Sequence, residues 1–110
     1  LDWAEKAISL SNNSEQAYSN RASVYYSIAD DCTEDQLKFS DKLVYEMAYE
    51  DYQKVATIGN DKGASNKVNF LESNELITSS SDWFMIGGNE GELSPTGKCY
   101  EWISRKIKRK

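Results

Sequence analysis

The sequence predicts an all-α fold of antiparallel helix pairs, and three observations predict it. Over residues 1–80 apolar side chains recur at i, i+3 and i+4, the spacing that lines one face of a helix. One Pro and six Gly in 110 residues leave little to interrupt those stripes. A segment near the start also reappears, in chemical class, farther along the chain. The length suits a single domain with a modest core.

Ala4, Ala7, Ile8 and Leu10 line a short opening helix. Ala17, Tyr18, Arg21, Ala22, Tyr25, Tyr26 and Ile28 form a second stripe. A third helix is expected after Thr33, because Thr33-Glu34-Asp35-Gln36 reads as a capping box. Leu43, Met47, Ala48, Tyr52, Val55, Ala56 and Ile58 keep its period until Gly59-Asn60 ends it. Ala64, Val68, Leu71 and Glu75 or Leu76 mark a fourth helix, closed by the Thr78-Ser79-Ser80-Ser81 cluster.

Residues 82–94 join four large side chains, Trp83 to Ile86, to a glycine-rich run, and read as a docked loop or a short hairpin. Ser94-Pro95 then offers an N-cap followed by Pro at the first helical position. The expectation is a C-terminal capping helix over 95–110, with Cys99, Trp102, Ile103 and Ile107 on one side. Trp83, Phe84, Met85, Tyr100 and Trp102 would cover the apolar end of the helical array, the alternative being an exposed aromatic patch.

Glu5-Lys6-Ala7-Ile8-Ser9-Leu10-Ser11-Asn12 matches Gln53-Lys54-Val55-Ala56-Thr57-Ile58-Gly59-Asn60 in chemical class, 48 residues along. Tyr18-x2-Arg21-Ala22-x2-Tyr25 and Ala48-x3-Tyr52 fall on the frame W-x2-L-G-x2-Y…A-x3-F of a helix–turn–helix repeat. On these residues the chain resembles the tetratricopeptide repeat (TPR) family. That family's period is 34 residues, so the resemblance implies a 14-residue insertion, Asp31 to Val44, within the central repeat. Small Ala22 and Ala48 would let the paired helices approach, with Tyr25 and Tyr52 filling the space beside them.

The resemblance implies one domain arranged as a right-handed, TPR-like superhelix. Residues 1–13 would end a preceding repeat, 14–60 form the central one, and 61–110 supply a degenerate repeat, a loop and the capping helix. With no initiator Met, the chain is expected to start inside a longer protein. In this family the first helices of successive repeats line a concave groove that accepts peptides. By frame, Gln16, Ser19, Asn20, Ser23, Tyr26 and Ser27 would face it, a set suited to adaptable hydrogen bonding, although any solvated helix face carries such residues. Ala17-Tyr18-Ser19-Asn20-Arg21-Ala22 also resembles the middle repeat of clamp-type domains that grip the C-terminal carboxylate of heat-shock chaperones, which would give Asn20 a donor's role. Lys67, with Lys62 and Asn66, stands where the next first helix would supply charge.

The implied function is a protein–protein interaction scaffold. A structural or assembly module with its groove filled internally, or a carboxylate-clamp-like chaperone co-factor domain, are the alternatives. No enzymatic role is expected, because the chain has no His and shows no nucleophile–base pair. Glu46, Glu50 and Asp51 read as an outer face, and the acids Asp30, Asp31, Glu34 and Asp35 as helix-start charges rather than a calcium loop. Neither a metal nor a cofactor is expected.

The formal charge of −5 argues against nucleic acid as a partner, and no apolar run is long enough for membrane insertion. Lys98, Arg105, Lys106, Lys108, Arg109 and Lys110 crowd the end, where they would offset a helix dipole or attract an anionic partner. Cys32 and Cys99 lack metal-site spacing. Two free thiols are expected, with one disulfide as the alternative in an oxidising compartment. The compartment stays open, the cytoplasm being favoured.

Overall fold

The computed structural model describes residues 15–33, 36–59 and 62–110. The opening helix, the first copy of the internal repeat, Glu34, Asp35 and Asn60 lie outside the described residues. Those described are mostly helical, as expected. The elements are α1 (Glu15–Cys32), α2 (Phe39–Gly59), α3 (Lys62–Ser73), α4 (Ser80–Ile86), β1 (Glu92–Leu93) and β2 (Ile107–Lys108). The two short strands pair antiparallel, Glu92 opposite Lys108 and Leu93 opposite Ile107.

Helix α2 is central and packs against both α1 and α3. From α1 it receives Tyr18, Ala22, Tyr25 and Ala29, all buried and spaced three or four residues apart. From α2 come Leu43, Val44, Met47, Ala48, Tyr52 and Val55. Ala22 and Ala48 are both 0% exposed. Their lack of bulk suits close helix packing, so Ala22→Leu is expected to cost about 1–3 kcal/mol through overpacking, read in a urea titration of the oxidised protein.

Helix α2 does not begin where expected. The Thr33 hydroxyl donates to the Ala29 carbonyl at 2.7 Å and its backbone N–H does so at 2.9 Å. Thr33 thus closes α1 and is not free to cap the next helix. Five residues later, the Lys38 N–H donates to Asp41 Oδ2 at 2.9 Å while Lys42 N–H donates to the Lys38 carbonyl. Asp41 reaches back as the third residue of a capping box does, and its charge sits at the positive end of α2.

The other helix ends show similar local control. Helix α3 stops at Ser73, short of Leu76, because Glu75 takes a left-handed φ of 54°. The bonds Leu76 N–H to Leu71 carbonyl and Glu75 N–H to Glu72 carbonyl, both 3.1 Å, make this a Schellman end. The segment expected as a loop or hairpin from 82 begins inside α4. Ser79 Oγ accepts from Asp82 N–H, and Asp82 Oδ2 accepts from Ser79 N–H, a complete capping box. Gly87, at φ 73°, ends this helix.

The expected capping helix over 95–110 is absent. A turn closes through Tyr100 N–H to Gly97 carbonyl and Ile103 N–H to Tyr100 carbonyl, and an extended segment follows. From 103 to 110 burial alternates residue by residue: Ile103, Arg105, Ile107 and Arg109 lie inward of Ser104, Lys106, Lys108 and Lys110. That period of two belongs to a strand. Ile103 and Ile107, four apart, satisfy a helix equally well, and the inward arginines between and beyond them look polar in the sequence.

Cys32 and Cys99 form a disulfide, so the expectation of free thiols is overturned. It joins the end of α1 to the turn after Gly97, across a separation of 67 residues.

Candidate binding groove and the charged core

The residues expected to line a groove divide between two places. Gln16 and Asn20 turn to each other, Gln16 Nε2 donating to Asn20 Oδ1 at 2.9 Å, the i, i+4 pair of one helix face. Ser19 is half-buried, and Ser23 and Ser27 are exposed. Tyr26 goes elsewhere. Its ring meets Tyr45 edge-on with centroids 5.6 Å apart and approaches Phe70 of α3 at 6.5 Å. The Lys67 ammonium lies 4.7 Å from the Tyr26 ring centroid, within cation–π range.

Tyr26, Gly63, Asn66, Lys67 and Phe70 surround an open hollow of about 430 Å³ between α1 and α3. Of the six expected binding residues, Gln16, Ser19, Asn20, Ser23, Tyr26 and Lys67, this hollow contains Tyr26 and Lys67 only. Gly63 and Phe70 were not foreseen. Phe70 is 46% exposed and sits off the Ala64–Val68–Leu71 stripe, a mismatch visible in the sequence. Burial, reinforced by the Asp30 carboxylate, pushes the Tyr26 and Tyr45 phenols above their ordinary pKa. Both therefore stay protonated near neutral pH.

A second concentration of polar groups runs through the interior. Asp51 is 0% exposed. It accepts from Arg21 Nε at 2.7 Å and Nη2 at 2.9 Å, and from Arg105 Nη1 at 3.2 Å and Nη2 at 3.3 Å. Arg105 also donates to Glu50 Oε1 at 3.0 Å and lies over the Tyr25 ring at 5.4 Å. Burial alone would lower the Arg105 pKa, but the neighbouring Asp51 outweighs it and raises it. Burial pushes the Glu50 carboxyl upward despite Arg105.

Glu46 repeats the pattern one turn earlier. Its Oε1 accepts from the Thr78 N–H at 2.9 Å and from the Thr78 hydroxyl, and its Oε2 lies 3.1 Å from Lys110 Nζ. Trp83 Nε1 donates to Thr78 Oγ1 at 3.0 Å. Tyr100 donates to Asp41 Oδ1 at 2.6 Å, and burial followed by that carboxylate raises the phenol's pKa. The reading of an outer face is thereby corrected for Glu46 and Asp51, while the Glu50 side chain stays 40% exposed. At that level α2 is covered by α1, α3 and the C-terminal segment together, and Glu46 and Asp51 are buried.

The basic end is likewise not a helix terminus. Arg105 and Lys110 pair with the acids of α2, and Arg109 donates to the carbonyls of Trp83, Gly87, Gly88 and Glu90 while lying 5.2 Å from the Trp83 ring. The large side chains expected as a cover also split. Trp83 and Tyr100 are buried, whereas Phe84, Met85 and Trp102 are exposed, Phe84 by 82%.

Among the described residues no buried side-chain nitrogen or oxygen lacks a partner, and no cluster of three or more His, Cys, Asp or Glu could hold a metal ion. None of their helices is long and apolar enough to cross a membrane. Comparison with protein-family models, curated proteins and solved structures returned no match.

Proposed function

We propose that this chain is a protein–protein interaction scaffold, a TPR-like helical array that holds a peptide between α1 and α3. The observation that supports this reading is the hollow flanked by the Tyr26 and Phe70 rings and the Lys67 ammonium. An open depression with aromatic walls, an amide at Asn66 and a single cation can seat one apolar side chain and orient the backbone beside it. The Arg21–Asp51 pair ties α1, which carries one wall, to the central helix α2. The Cys32–Cys99 bridge favours an oxidising compartment as the place of action.

Peptides selected from a random display library on the oxidised protein test this. Lys67→Glu and Phe70→Ser change exposed side chains, and circular dichroism checks their folding. Each is expected to weaken the selected peptides at least about tenfold, or about 1.4 kcal/mol. Equal binding to both variants, or failure to select any peptide, would remove the reading.

A further inference from the structure

A second hollow, of about 560 Å³, lies between the C-terminal half of α2 and the β1–β2 ribbon. Lys54, Ile58, Glu92, Arg105, Lys106 and Lys108 are among its walls. Strand alternation explains the lysines: with Ile107 buried at 1%, its neighbours Lys106 and Lys108 are turned outward on the same face. Lys54 joins them from α2, its ammonium 4.9 Å from the Tyr18 ring.

The charges here do not cancel. Arg105 is committed to Glu50 and Asp51. Among the described residues none of Lys54, Lys106 and Lys108 has an ion-pair partner within 4.0 Å, and Glu92, opposite Lys108 in the ribbon, is the remaining acid of the hollow. A local excess of positive charge thus stands on a chain of formal charge −5. Ile58, 49% exposed, adds apolar surface within it.

We propose that this hollow docks an acidic peptide segment, with carboxylates on Lys54, Lys106 and Lys108 and one apolar side chain against Ile58. Charge complementarity selects the partner's sign, and the apolar wall selects a polypeptide over a phosphate polymer. A nucleic acid carries its charge along an extended track and needs a longer run of cations than a chain of formal charge −5 is suited to offer. The site is separate from the Tyr26–Phe70 hollow and stands or falls independently of it.

Fluorescence anisotropy decides the matter with a labelled pentapeptide, leucine flanked on each side by two glutamates, and its glutamine counterpart. At low salt the wild-type oxidised protein is expected to bind the glutamate peptide at least about tenfold more tightly than the glutamine one. The double variant Lys106→Glu/Lys108→Glu, exposed at both positions, should lose that preference, while Lys67→Glu should retain it. No binding by wild type at about 1 mM peptide, equal affinity for both peptides, or undiminished binding by the double variant would overturn the proposal. Tighter binding of a labelled single-stranded oligonucleotide than of the glutamate peptide would also overturn it.

Discussion

Asp51→Ala is expected to lower the unfolding free energy by about 3–5 kcal/mol, the cost of leaving buried charge uncompensated. The carboxylate is fully buried and sits between two guanidiniums whose side chains are only 14% and 20% exposed. Removing it leaves Arg21 and Arg105 facing each other across a cavity, with Glu50 as the acid still paired to Arg105. Asp51→Asn keeps the volume and removes the charge, so a comparable loss there assigns the effect to electrostatics rather than packing. The Lys42–Asp82 pair, at 3.1 Å but with side chains 21% and 27% exposed, is the internal control. Lys42→Ala should cost no more than about 1 kcal/mol. Urea titrations of the three variants in oxidising buffer separate these outcomes. A loss under about 1 kcal/mol in Asp51→Ala would show that the guanidiniums escape to solvent without penalty.

Reduction of the disulfide, or Cys32→Ser with Cys99→Ser, is the second large effect. On a chain-entropy account, a link across 67 residues removes about 4 kcal/mol of freedom from the unfolded state. Cys99 is exposed and its bridge borders an open cleft of about 570 Å³, so small thiols reach it without prior unfolding. The urea midpoint of the wild type is expected to fall sharply on adding dithiothreitol, and that of the double serine variant to ignore it. A wild-type midpoint insensitive to dithiothreitol, with thiol release confirmed, would mean that Arg105, Tyr100 and Lys110 hold the segment unaided.

Helices α1 and α2 were legible because their apolar stripes repeat over four turns, and the small pair Ala22 and Ala48 foretold two buried positions in the shared core. The boundaries were less so. Thr33 could serve either the helix behind it or the one ahead, and only its bond to Ala29 decides. Ser79-Ser80-Ser81-Asp82 carries a capping box, yet a run of serines after a helix also reads as its end. At the C-terminus two inward arginines concealed a strand, since burying a guanidinium needs acids that lie far away in sequence. The same blind spot placed Asp51 and Glu46 on a surface they do not occupy. Of the residues the frame assigned to a groove, Tyr26 and Lys67 border one hollow, but the frame did not anticipate Phe70 there, or that Gln16 Nε2 would donate to Asn20 Oδ1.

The distance between partners along the chain has a bearing on how this protein reaches its native state. The α1–α2 hairpin forms from nearby residues, yet Asp51 meets Arg105 only across a separation of 54. Without the far segment, Asp51 keeps one of its two guanidiniums and Glu46 loses its cation, so burying the hairpin's acids is costlier. A stack of self-similar units can grow by accretion, each added unit resting on its neighbour. Here contacts over more than fifty residues close the core as well, and such long-range closure favours a slower, more concerted acquisition of structure.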